Sequence, residues 1–288
     1  SSSEELLTYA EPDDPRVRRA VIRGVERLSG QRRMVRAYEE ARARSVLRPG
    51  DPRPELFFSE ALDVLRIEPR YTGPGLGRVT RDGPLVFVAN HPFGVVDGLA
   101  LCRLALQTRG DVKVMIHRAL FKDSDLQRFM LPVDFSGTRE AAKRNIAVRN
   151  QALEYLADGG TVAVFPGGGI STALGRGFGP VTDLEWKLLP AKLIQAARAT
   201  VVPVYFPGRN SRLFQIASQF SLTLRLSLVI REANKRRGGT VDVVVGAPMT
   251  YEQLAPVGDR RALMTHLREV VYALGAEATP RSVESAPH

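Results

Sequence analysis

A single cysteine, Cys102, stands in 288 residues, so no intrachain disulfide can form and nothing resembles a thiolate metal site. Histidine is nearly as scarce: the four residues at 91, 117, 266 and 288 are not at paired spacing, so no zinc ligand set is visible. No run of about 18 apolar residues occurs. Ser1-Ser2-Ser3-Glu4-Glu5 offers neither the basic start nor the apolar core of a signal segment. The expectation is a body that neither spans a membrane nor carries an obvious secretion signal, in keeping with a reducing cytoplasm. A Gly-x-Ser-x-Gly elbow is missing, which disfavours a serine hydrolase. The glycine run at 167–169 lacks the lysine of a nucleotide P-loop, and no internal repeat is present.

What is there is a chain 44% hydrophobic and 25% charged, enough for a substantial core at the upper end of one domain. The net charge of +10 and a pI near 10.1 favour an anionic partner: nucleic acid, an anionic membrane surface or an acidic carrier such as coenzyme A. Nucleic acid would rest on charge alone, because no recognition motif accompanies it, and it is not expected as a partner.

Along the chain, Asp13-Asp14-Pro15 supplies a helix start, Gly30 a stop, and Arg32 to Leu47 is rich in helix formers. A breaker cluster from Arg48 to Pro54 precedes a further helix containing Leu56, Phe57, Phe58, Leu62 and Leu65. From residue 85 short apolar runs alternate with helical stretches. Leu85–Ala89, Val112–Ile116, Leu131–Asp134, Thr161–Phe165, Val201–Phe206 and Val241–Val245 read as strands. Gly98–Gln107, Thr138–Ala157 and Pro190–Ala199 read as helices. The fold expected is α/β, a mixed and largely parallel central sheet flanked by helices, with an N-terminal helical extension over 1–66, the main domain over 67–277 and a poorly ordered tail over 278–288.

The chemistry concentrates at Asn90-His91-Pro92-Phe93-Gly94-Val95-Val96-Asp97-Gly98, which follows a strand and runs into a helix. Open α/β sheets place ligands at the carboxyl ends of their strands. A carboxylate paired with the imidazole there would fix its tautomer and stabilise the imidazolium. The pattern alone leaves open the plainer reading, in which Asp97 caps the following helix and His91 is a satisfied turn residue.

This block resembles the first signature of the lysophospholipid acyltransferase (PlsC-like, glycerolipid acyltransferase) family. Five residues separate His91 from Asp97, as in a bacterial hemolysin-like or lyso-aminolipid O-acyltransferase branch, where the family's common form has four. Further blocks follow in the family's order: Lys113 to Arg118, Leu131-Pro132-Val133-Asp134 with Gly137-Thr138-Arg139, Phe165-Pro166-Gly167-Gly168-Gly169-Ile170-Ser171, and Val202-Pro203-Val204-Tyr205-Phe206. Gly208-Arg209-Asn210-Ser211 and Asn234-Lys235-Arg236 continue the branch's pattern. One departure stands out: Gly169 occupies the place of a family glutamate.

The resemblance implies an O-acyltransferase of membrane lipid biosynthesis. It moves a fatty acyl chain from acyl-CoA or acyl-carrier protein to a hydroxyl of a lyso-lipid, either a lyso-aminolipid or a lysophospholipid. It makes His91 the general base and Asp97 its support. Substrate contacts would come from Arg118, Arg139, Gly167, Gly168, Gly169 and Ser171, with no metal and no permanently bound cofactor. The largely apolar stretch Leu213 to Ile230, flanked by Arg209, Arg212, Arg231, Lys235, Arg236 and Arg237, reads as an interfacial segment, with core burial as the alternative; Phe57-Phe58 is a weaker candidate. The expected location is peripheral, on the cytoplasmic side of the inner membrane against its anionic surface. The alternative in a different class is a catalytically silent lipid-surface binding protein that keeps the fold.

Overall fold

The computed structural model describes residue 16 and residues 30–118, 123–134, 138–168, 172–173, 181–183, 185–208 and 231–278. The first helices are α1, Gln31–Arg44, and α2, Phe57–Leu65. Strand β1, Glu68–Thr72, and strand β2, Leu85–Ala89, lead to helix α3, Val95–Arg109. Strands β3, Lys113–His117, and β4, Met130–Val133, precede α4, Arg139–Ala157. Then come β5, Thr161–Val164, and a short hairpin of β6, Thr172–Ala173, and β7, Val181–Thr182. Helix α5, Leu189–Ala197, strands β8, Thr200–Tyr205, and β9, Thr240–Val245, and helices α6, Tyr251–Leu254, and α7, Arg260–Ala278, complete the order.

The seven-stranded sheet runs β1-β9-β8-β2-β5-β3-β4. From β8 to β4 all neighbours are parallel; β9 is antiparallel to β8, and β1 is parallel to β9. Every residue of β2 and of β5 is buried, because both strands are covered on their two faces, and this is why they read as unbroken apolar runs. Leu85, Phe87 and Ala89 face α1, α2 and α3, whereas Val86 and Val88 face α4, α5 and α7. Each such Val, Leu or Phe side chain contributes about 1.5–3 kcal/mol by leaving water.

The expected α/β class and its largely parallel sheet are observed. Strand ends differ from the sequence reading by about one residue, the usual uncertainty of such boundaries. Strand β1 has no counterpart in that reading. Phe57 and Phe58 are 6% and 4% exposed and pack in the core with Tyr38 and Phe129, so they are not available for membrane contact. The stretch Leu213 to Ile230 and the start at Asp13-Asp14-Pro15 lie outside the described residues. Among the described residues no helix is long and apolar enough to cross a membrane.

Candidate active site

Because β2 is central and parallel to both neighbours, its carboxyl end lies beside those of β5 and β8. The Asn90 side chain joins two of them: its Nδ2 donates to the Phe206 carbonyl at 3.0 Å, and its Oδ1 accepts the Phe206 N–H at 2.7 Å. The chain then turns through Gly94, whose φ of 80° and ψ of −114° suit glycine, and enters α3 at Val95. Helix α3 therefore begins before the expected Gly98, and Asp97 sits inside its first turn. The Asp97 Oδ2 reaches back to accept the N–H groups of Phe93 at 2.8 Å and Gly94 at 3.0 Å, which satisfies donors that the helix start leaves unpaired.

The same oxygen lies 3.1 Å from His91 Nδ1. The capping role and the paired role thus coincide in one carboxylate. Asp97 is wholly buried and His91 is 18% exposed, so the imidazole alone offers an edge to the outside. The ring and carboxylate are close but not aligned for a full N–H···O bond. Burial pushes the Asp97 carboxyl above its ordinary value of 3.8; the close His91 imidazole and the Phe93 and Gly94 N–H groups act in the opposite direction.

Phe165, at the end of β5, stacks on the His91 ring with centroids 4.0 Å apart. Phe93 is held between Gly208, where an added Cβ would come within 2.7 Å of its ring, and the Arg236 guanidinium, centred 3.6 Å from its centroid. Burial lowers the Arg236 pKa, while the charges of Asp97 and Glu232 raise it, which places this cation in the field of the buried carboxylate. Asp183 is 5% exposed and accepts the backbone N–H of His91 at 3.1 Å. Sequence reasoning missed Asp183 entirely: it stands in a segment with no periodicity, distinguished only by the nearby single tryptophan, Trp186.

The other expected site residues are distributed as follows. Gly167 and Gly168 form the turn after Phe165; Gly168 adopts φ 64° and its N–H closes the turn onto the Phe165 carbonyl at 3.0 Å. Gly169 and Ser171 lie outside the described residues. Arg118 follows β3 and is 59% exposed, 3.8 Å from Asp134, which Arg144 also binds at 2.6 Å. Arg139 is exposed at the first turn of α4, whose cap is Thr138. These arginines are thus at the carboxyl edge of the sheet, on the β3–β4 side, with Arg118 already sharing a carboxylate. Among the described residues no cluster suits a metal ion.

A family model described as Acyltransferase matches residues 34–278. The lyso-glycine lipid O-acyltransferase of Phocaeicola vulgatus is 28% identical over 208 residues, covering 69% of this chain and 71% of that protein. The lyso-glycine lipid O-acyltransferase of Bacteroides thetaiotaomicron is 28% identical over 209 residues, covering 69% and 73%. In fold, the chain resembles the crystal structure of the 1-acyl-sn-glycerophosphate acyltransferase PlsC from Thermotoga maritima, with a TM-score of 0.50, 19% identity, and 78% and 79% of the two chains covered.

Proposed function

The chain belongs to the acyltransferase family, and from that premise we propose that it transfers a fatty acyl group from a thioester carrier to the hydroxyl of a lyso-lipid, with His91 as general base. The observation that carries this is the 3.1 Å approach of a partly exposed imidazole to a fully buried carboxylate at the carboxyl end of the central strand. His91 Nε2 accepts the hydroxyl proton as the oxygen attacks the thioester carbonyl carbon. Asp97 at Nδ1 fixes the tautomer and supports the imidazolium. The carbon–sulfur bond then breaks, and the thiolate leaves with the proton returned by the imidazolium, so ester and thiol are formed without an acyl-enzyme. Backbone N–H donors of the Gly167–Gly169 loop are assigned to the oxyanion.

The carrier is acyl-CoA or acyl-carrier protein. For the acceptor, the two relatives named for a lyso-glycine lipid favour a lyso-aminolipid over lysophosphatidate. Gly169 in place of a glutamate removes a negative charge, which suits an acceptor bearing a carboxylate or phosphate, met by Arg118 or Arg139. The protein works at the cytoplasmic face of the inner membrane, held to anionic lipid by its excess positive charge. The test pairs both donors with a lyso-glycine lipid, a lysophosphatidate and a lyso-lipid of purely cationic head group. Ester formation is expected, with preference for the anionic acceptors weakened by Arg118→Ala or Arg139→Ala. Preference for the cationic acceptor, indifferent to both substitutions, defeats the acceptor assignment; thioester hydrolysis without ester defeats the reaction.

A further inference from the structure

Asp183 takes no part in the proton transfers above, yet it is a buried carboxylate beside the base, with both oxygens in use. Its Oδ1 accepts the His91 backbone N–H at 3.1 Å, and its Oδ2 accepts the Trp186 indole N–H at 2.9 Å. The Asp183 N–H donates to the Tyr272 hydroxyl on α7 at 2.9 Å. Further along, the Lys187 N–H donates to the Pro166 carbonyl at 2.9 Å, in the turn that follows the ring stacked on His91. Asp183, Trp186 and Lys187 therefore tie together the His91 loop, the β5 turn and the last helix.

We propose that Asp183 is a positioning residue for acyl transfer: anchored by Trp186, its carboxylate fixes the backbone of His91 and so sets where the imidazole meets the acceptor hydroxyl. A carboxylate suits this place because it presents two acceptors and no donor to two N–H groups, and because a charged acceptor holds them more tightly than a neutral one. Backbone placement matters here because a shift of about 1 Å at a catalytic group costs on the order of 10²-fold in rate.

The inference rests on His91 being the base, and the experiment separates the two. Asp183→Asn keeps an oxygen for the His91 N–H but sets its amide N–H against the indole N–H. Its kcat should fall by about tenfold with KM values for donor and acceptor unchanged within about twofold, because orientation and not binding is lost. Adding Trp186→Phe removes the opposing donor and should return kcat toward wild type. Asp183→Ala, with neither acceptor, should lose on the order of 10²-fold. Trp186 is the single tryptophan, so its emission shows in each Asp183 single variant whether the indole remains buried. Wild-type kcat in both Asp183 variants, a loss confined to KM, or no recovery in the double variant overturns the positioning role. If Asp183→Ala does not fold, the Asn variant and its double variant decide. Activity retained by His91→Ala would instead defeat the assignment of the base.

Discussion

His91 lies face to face with Phe165, the ring planes inclined by 26°. The stack limits tilting of the imidazole, while Asp97 at Nδ1 limits its rotation in plane. These constraints arrive from different parts of the chain, the end of β5 and the first turn of α3, and each leaves Nε2 untouched. An imidazole held in this way has little freedom left to lose, which is the advantage of a preorganised group in the base role proposed for it.

Phe165→Leu keeps an apolar, though smaller, side chain and removes the stacked ring. An aromatic pair adds about 0.5–1.5 kcal/mol beyond its area burial; with that energy no longer holding the imidazole in place, kcat should fall by about 2- to 10-fold and the thermal midpoint by a few degrees at most. Steady-state kinetics check this, and a wild-type kcat removes the stack from the account.

A second expectation concerns pH. Burial holds the Asp97 carboxyl above 3.8, so the folded chain binds this proton more tightly than the unfolded one. Its contribution to stability is full below 3.8 and is lost as pH rises through the native value. Asp97→Asn has no such proton, and its side-chain oxygen still accepts the Phe93 and Gly94 N–H groups. The variant should therefore gain stability relative to wild type as pH rises above 3.8, while losing most acyl transfer. Urea unfolding of both proteins across that range measures the difference; a constant or opposite difference contradicts the direction given to Asp97.

The approach of His91 to Asp97 was legible in the sequence because strand, turn and helix are contiguous from Leu85 to Arg109 and both residues lie within them. The onset of α3 was not, because the turn is made by Gly94 and Asp97 folds back onto it, so the capping carboxylate lies inside the helix and not ahead of it. Strand β1 escaped because Glu68–Thr72 alternates exposed and half-buried residues at a sheet edge; its pairing with β9, distant in sequence, is what makes it a strand. Asp183 reaches His91 across 92 positions with no spacing to mark it. Phe57-Phe58 misled because two adjacent aromatics look equally suited to a bilayer and to a core, and only packing against Tyr38 and Phe129 decides.

With a net charge of +10, the protein should sediment with vesicles containing anionic lipid at low salt and be released as salt rises. Each basic residue near such a surface contributes about 1 kcal/mol, and the field decays over about 10 Å at moderate ionic strength. Co-sedimentation with neutral and anionic vesicles across a salt series checks this. Equal binding to both at every salt concentration shifts the anchor to apolar insertion.

The most direct test of the central claim is the turnover of His91→Ala with a thioester donor and a lyso-lipid acceptor, on protein shown by circular dichroism to be folded. The loss of a general base predicts a kcat lower by about 10²–10⁴-fold; a folded variant within about tenfold of wild type contradicts the role given to His91.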